Sequence, residues 1–240
     1  MSGSVPHFFV EPADVDGDSV ALRGAEAHHA AHVLRLRPGE RISIADGSGR
    51  VMDAIVSSVG ETVAADMCGV RDVQPITPAI TLVQGIAKGD KIDTVVQKAV
   101  EVGVRRIVPV VCERTVVRWD ERKRSKAVDR WREIARSAAK QCRSAWLTDV
   151  DDVRELGDVE LPAVVLDAGA RSRLRDVLPV DTPDAITLVI GPEGGLEPGE
   201  IDALGSRGAV TACLGPRILR TETAGPVAAA LILYAYGSLG

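Results

Sequence analysis

Three apolar runs in the second half of the chain, residues 163–167 (AVVLD), 186–190 (ITLVI) and 209–214 (AVTACL), limit its fold more than any other feature. A strand that meets water on one face alternates apolar with polar residues. Runs this continuous belong to parallel strands covered on both faces. Residues 80–84 and 106–111 read as two more strands. Between them, residues 91–102 place Ile92, Val95, Val96, Ala99 and Val100 on one helical face and stop at Gly103, a C-cap glycine. Further helices are predicted over 120–141, 198–206 and 223–237. Strands alternating with helices specify an α/β domain on a parallel sheet over residues 80–240, with its ligand at the carboxyl ends of the strands.

The first part has a different rhythm. Short strands are predicted at 7–10, 19–22, 41–45, 50–59 and 61–70, with one helix over 24–33. Asp46-Gly47-Ser48-Gly49 forms a tight hairpin, and Arg37-Pro38-Gly39-Glu40 turns the chain back into a strand. This pattern suits a small β-barrel over residues 1–73. Gln74-Pro75-Ile76-Thr77-Pro78 resists both helix and sheet, so residues 74–79 are read as the linker.

Composition removes several classes. Aromatics are 3% of the 240 residues, too few for a sheet that stacks unpaired bases. Residues 224–236 are the longest apolar stretch, but Gly225 and Pro226 interrupt it and it falls short of the roughly 20 residues that span a bilayer. With no basic flank and apolar core at residues 1–7, a cytoplasmic chain without a membrane segment is expected. Cys68, Cys112, Cys142 and Cys213 are far apart, and are expected to be reduced and mostly buried. His28 and His32 share a helical face as a metal pair would, but lack an acidic or cysteine partner at a telling spacing. No metal is expected, and packing or RNA contact are the roles left for them.

The net charge of −5 conceals a local excess. Residues 114–143 carry 11 basic and 4 acidic side chains in an otherwise acidic protein. Such a block is either a polyanion footprint or a solvated helix face.

Two loops at the predicted carboxyl ends carry the chemistry. Ile190-Gly191-Pro192-Glu193-Gly194-Gly195-Leu196 follows one apolar strand, and its glycines let backbone groups approach a ligand closely. The phosphate-loop patterns GxxxxGK[ST] and GxGxxG are absent. Leu214-Gly215-Pro216-Arg217-Ile218-Leu219-Arg220-Thr221-Glu222-Thr223-Ala224 follows the next strand. Thr221 or Glu222 can cap the helix that comes after. Arg217 and Arg220 offer guanidinium groups to a phosphate or to charge developing on a base.

Together, GPEGG after one strand and LGPRILRTETA after the next resemble the SPOUT methyltransferases. The match is best with the family that methylates N3 of a uridine in 16S ribosomal RNA. It extends to His28-His29, Val33-Leu34-Arg35-Leu36-Arg37-Pro38-Gly39-Glu40, Lys88-Gly89-Asp90-Lys91, residues 97–104 (QKAVEVGV), Glu113-Arg114 and Trp131-Arg132. Cys142-Arg143-Ser144 is a shortened form of that family's pattern, and Leu147 stands where proline is common.

The resemblance implies an α/β fold whose SPOUT domain closes into a deep trefoil knot, preceded by a PUA-like RNA-binding barrel. It implies a homodimer with each active site completed by the partner subunit, and S-adenosylmethionine as methyl donor. The cofactor set would be Leu166, Gly169, Ile190, Gly191, Pro192, Glu193, Gly194, Gly195, Leu214, Gly215, Ile218, Leu219, Arg220, Thr223 and Ala224. Arg220 would stabilise the uridine anion, with Glu193 or Glu222 accepting or orienting its proton. RNA contacts are expected from Arg23, Arg35 and Arg37 in the barrel, and from Arg114, Arg118, Arg122, Arg124, Arg132, Arg136 and Arg143 in the basic block. The substrate would be 16S ribosomal RNA, within the 30S subunit. A ribose 2′-O-methyltransferase of the same superfamily and a non-catalytic RNA-binding assembly factor are the competing expectations.

Overall fold

The computed structural model describes residues 5–117 and 119–240. The chain forms two compact units, Met1–Pro75 with Ala139–Leu147, and Ile76–Ala138 with Thr148–Gly240.

In the first unit, β1 (His7–Phe9), β2 (Val15–Asp16), β3 (Ser19–Leu22), β4 (Arg41–Ala45), β5 (Arg50–Val59) and β6 (Val63–Asp72) make one sheet in the order β1-β4-β5-β6-β3-β2. Only β1 with β4 is parallel. Helix α1 (Gly24–His28) continues as a π-turn over His29–Val33 and lays Ala27 and Ala30 on the apolar face. Phe8, Leu22, Ile42, Ile44, Met52 and Val63 are the large members of that core. Burying each of the aliphatic ones stabilises the unit by about 1.5–3 kcal/mol. At the predicted hairpin, the Asp46 carboxylate accepts from Ser48 N at 2.7 Å and Arg50 N at 3.1 Å. Partial burial pushes this carboxyl up, but the hydrogen bonds from Ser48 and Arg50 hold it below the usual range. The strand predicted at 61–70 is displaced to Val63–Asp72, because Gly60 N bonds Thr62 O and holds the intervening residues in a turn.

The second unit contains β7 (Ala79–Gly85), α2 (Lys91–Val102), β8 (Arg106–Val111), α3 (Glu121–Cys142), β9 (Asp149–Val150) and β10 (Arg154–Glu155). It continues with β11 (Val164–Leu166), α4 (Leu174–Val177), β12 (Ala185–Ile190), α5 (Pro198–Ser206), β13 (Val210–Ala212) and α6 (Thr221–Ala235). The sheet runs β10-β8-β7-β12-β11-β13, with β9 also on β8, and every recorded pairing is parallel. Strand order reverses beside β7, a switch point of the kind that opens a crevice at the carboxyl ends. Val83, Val165 and Val189 are buried on one side of this sheet with Leu196 and Leu204. On the other side α2 packs against α6. Gly103 ends α2 with φ +97, and Val104 N reaches back to Ala99 O.

The end of α3 belongs with the first unit. Arg143, at φ +57, occupies the left-handed position that usually takes glycine. Arg143 N bonds Lys140 O and Ser144 N bonds Ala139 O, closing the helix. His7 ties this turn to the sheet: its ring is 3.1 Å from both Ser43 Oγ and Ser144 O. Lys140 Nζ pairs with the buried Glu26 carboxylate at 3.2 Å.

Three expectations are corrected. Only Cys112 is buried; Cys68 and Cys142 are exposed and Cys213 lies between, because the β6 and α3 positions involved face outward. Helix α6 starts at Thr221 rather than 223, and neither Thr221 nor Glu222 caps it through its side chain. Arg220, in extended conformation, is the N-cap through its carbonyl, which accepts from Thr223 N and Ala224 N. His28 and His32 are exposed with ring centroids 4.8 Å apart, whereas His29 is the one that packs, on Phe8.

Candidate cofactor site

A cavity of about 510 Å³ lies at the carboxyl ends of three neighbouring strands. Residues 166–168 follow β11, residues 190–196 follow β12, and residues 212–215, 217–222 and 224 follow β13. This volume is in the range that encloses a cofactor-sized molecule. Leu166, Ile190, Leu214, Ile218 and Leu219 supply apolar surface, and Ile218 stands 85% exposed.

The loop after β12 is tightly folded on itself. A methyl at Gly191 would lie 2.7 Å from Gly195 C, and Gly195 itself sits at φ +73. Gly195 N closes a turn onto Pro192 O at 2.9 Å. Side chains brace this loop from both sides. Glu193 Oε1 accepts from Lys88 N at 3.0 Å and from Lys91 Nζ at 2.8 Å. Partial burial pushes the Glu193 carboxyl up, but those two donors hold it below the usual range. From the other side, Arg114 donates to Gly194 O at 2.5 Å and to Glu197 Oε1 at 2.7 Å. Glu113 N meanwhile reaches Glu200 Oε1 at 2.9 Å.

Three polar groups meet beneath the cavity floor. Gln84, fully buried at the end of β7, donates from Nε2 to Thr221 Oγ1 at 2.9 Å and to Gly85 O at 3.1 Å. Thr221 Oγ1 lies 2.7 Å from Gly191 O. Glu222 has one buried carboxylate oxygen, Oε2, without a partner among the described residues. Its Oε1 lies 3.9 Å from Arg220 Nη1, whose side chain is 84% exposed.

Of the cofactor residues expected from sequence, all but Gly169 and Thr223 line this cavity. Gly169 falls within the turn that Ala170 N closes on Asp167 O, and Thr223 is exposed on the first turn of α6. Lys91, Asp167 and Cys213 are lining residues that sequence reasoning missed. Gln84 was also missed, although one amide at the end of the apolar run Ile80–Val83 was a visible signal.

The expected RNA residues are distributed over both units. In the first, Arg23 pairs with Asp14 at 2.9 Å, while Arg35 and Arg37 are exposed. Arg35, at φ +55, is with Arg143 one of two non-glycine residues recorded at positive φ. In the second, much of the basic helix is internally neutralised. Arg124 lies 3.7 Å from Glu155, and Arg132 binds Val150 O and Asp152. Arg130 is bound to Asp93. Arg122 is exposed without a recorded ion pair among the described residues. Arg136 is partly buried. Arg118 lies outside the described residues.

Among the described residues no helix is long and apolar enough to cross a membrane, and no group of three or more metal-type side chains clusters.

Residues 74–233 match the family described as RNA methyltransferase domain, and residues 22–62 the family described as RNA methyltransferase PUA domain. The chain is 34% identical over 232 residues to ribosomal RNA small subunit methyltransferase E of Mycobacterium bovis, covering 92% of this chain and 88% of that one. With the Bacillus subtilis protein of the same name identity is 28%, covering 91% of each. A crystal structure of the Neisseria gonorrhoeae ribosomal RNA small subunit methyltransferase E, bound to S-adenosyl methionine, superimposes with a TM-score of 0.88 at 30% identity, covering 97% of this chain and 98% of that one.

Proposed function

The chain belongs to the ribosomal RNA small subunit methyltransferase E family, and on that premise we propose that it is an S-adenosylmethionine-dependent enzyme that methylates N3 of a uridine in 16S ribosomal RNA. The observation that carries the proposal is the cavity at the ends of β11, β12 and β13, bounded by two glycine-containing loops. Its volume, its apolar lining and the close approach of backbone at Gly191 fit an adenosine-sized ligand. The SAM-bound Neisseria relative supports the same ligand.

When bound, S-adenosylmethionine supplies a methyl group activated by its sulfonium, chemistry that needs no metal. The residues of the chain must then manage the uridine. N3 is protonated at neutral pH, and its proton must leave as N3 attacks. Arg220 is exposed at the cavity and bears the positive charge that suits an anion spread over O2, N3 and O4. Glu222 is the better placed proton acceptor or orienting group, with one buried oxygen unpartnered. Glu193 is occupied by Lys88 and Lys91 and held in its ionised form, so its role is to brace the loop.

We assign RNA recognition to residues 1–73 as a PUA-like barrel, with 74–79 as linker, and catalysis to residues 80–240 as a knotted SPOUT domain. The bond from Thr221 back to Gly191, and the packing of α6 on β7 and β12, support that path for the chain. Exposed Arg35, Arg37, Arg122 and Arg143 are the RNA contacts that the structure favours. Val227, Leu231 and Tyr234 form an exposed apolar stripe on α6 that suits a homodimer interface. The enzyme would act in the cytoplasm during ribosome assembly, on RNA within the 30S particle.

Mass spectrometry of ribosomal RNA from cells with and without the protein tests the reaction. Loss of one 3-methyluridine is expected. A methyl lost from a ribose 2′-oxygen would move the chemistry to the sugar. Unchanged methylation alongside cofactor binding would make the protein an assembly factor. In the same assay Arg220→Ala should abolish most turnover with cofactor binding intact; near-normal turnover removes Arg220 from the anion site.

A further inference from the structure

We propose that Gln84 and Thr221 are positioning residues, a buried donor relay that sets the spacing between the two cofactor loops; this rests on the cofactor reading above. The relay follows from counting protons. Gln84 Nε2 faces two oxygens, Thr221 Oγ1 and Gly85 O. Turning the amide over would set its oxygen against the Gly85 carbonyl, so the nitrogen must be on this side. Thr221 then accepts from Gln84, and the single hydroxyl proton has one recorded acceptor, Gly191 O at 2.7 Å.

That hydroxyl joins two places that matter. Gly191 opens the loop after β12, and Thr221 ends the loop after β13 as the first residue of α6. One bond therefore fixes how far apart the two walls of the cavity stand. Directing the Gly191 carbonyl toward Thr221 also fixes the orientation of the peptide that enters Pro192.

A purely structural role fits poorly. Gln84 Oε1 is buried without a partner, and a methyl built on Gly225 would lie 3.5 Å from it. An unsatisfied buried acceptor is destabilising, and an apolar side chain would fill the same core without it. The amide contributes through its two donors.

Calorimetric titration with S-adenosylmethionine tests the relay in the wild type, Thr221→Ser, Thr221→Val and Gln84→Glu, each also melted without ligand. Thr221→Val keeps the shape and removes the proton, and should bind about tenfold or more weakly. Thr221→Ser should restore most of that loss. Gln84→Glu is nearly isosteric but, when ionised, sets two acceptors against one hydroxyl proton, and should weaken binding as Thr221→Val does. KM for the cofactor should rise in both more than kcat falls at saturation. Equal affinity in Thr221→Val and wild type overturns the relay, as does affinity that follows the unliganded melting temperature instead of the hydroxyl. If Thr221→Val does not fold, Gln84→Glu decides the same question. A wild-type chain that fails to bind S-adenosylmethionine overturns the cofactor reading itself.

Discussion

Replacing Gly85 by alanine probes the packing between the end of β7 and the loop that opens at Gly191. The new methyl would stand 2.6 Å from Pro192 N, 2.7 Å from Pro192 Cδ and 2.9 Å from Gly191 C. These are backbone and ring atoms that cannot swing aside, so the loop must retreat by about 0.8 Å to reach the 3.4 Å of ordinary contact. Gly85 is not at positive φ, so alanine adds no backbone strain of its own. Overpacking of this kind costs about 1–3 kcal/mol, a fall in Tm of about 2–12 °C for a chain of this length. The larger effect should be on the ligand. At a cofactor concentration one hundred times Kd, binding stabilises the wild type by about 2.7 kcal/mol, a rise in Tm of about 5–11 °C. A shift near 1 Å is felt on the order of a hundredfold in catalytic sites. A site weakened that much gains only about 0.4 kcal/mol at the same concentration, a rise of about 1 °C. Thermal melts with and without S-adenosylmethionine read both numbers. Gly208→Ala is the control: at φ +101 with nothing near its Cβ, it should lose stability but keep the full ligand-induced rise. A full rise in Gly85→Ala would refute the argument that this contact places the loop.

Two further outcomes follow from charge. Arg122→Glu removes an exposed cation that has no recorded ion pair, and should reduce the slope of log binding constant against log salt for RNA by about 1. An unchanged slope takes Arg122 out of the interface. His7 is held below its ordinary value of 6.5, mainly by burial and with Arg143 adding to the effect, against the hydrogen bond to Ser144 O. The unfolded chain therefore takes up this proton first, so the associated stability is present above about pH 6.5 and is lost as pH falls through the folded-state value. Urea midpoints between about pH 8 and pH 5 should fall more steeply for the wild type than for His7→Gln. Parallel curves would mean that His7 does not couple protonation to folding.

Much of the second unit was legible because its signals are local and redundant. Helix α2 has an apolar stripe and a stop at Gly103, and it forms at the predicted bounds. The apolar runs around β11, β12 and β13 placed the parallel sheet, and the loops after them line the cavity. What was hidden depends on long-range pairing. Arg143 gives no sign of a left-handed conformation, since that geometry is normally read from glycine. That the end of α3 would join the sheet of the first unit is set by His7, Ser43 and Lys140, residues spread over more than a hundred positions. Arg114 read as part of a basic block, yet it holds the carbonyl of Gly194. A count of charge cannot tell a guanidinium offered to RNA from one already bound by its own protein.

The order of strands in the parallel sheet has a consequence for how the chain is made. Ala79, at the start of β7, pairs with Ala185 at the start of β12, and α2 finds its partner helix only at Thr221–Ala235. During synthesis β7, α2 and β8 emerge long before the segments that cover them. Contacts so distant in sequence carry a large loop-closure cost before they return any stabilisation, and slow folding follows. The apolar strands of a nascent chain stopped before α6 would remain uncovered, as sites for a chaperone or for aggregation. Truncation within the last fifteen residues should therefore damage the yield of folded protein far more than the few side chains removed would suggest.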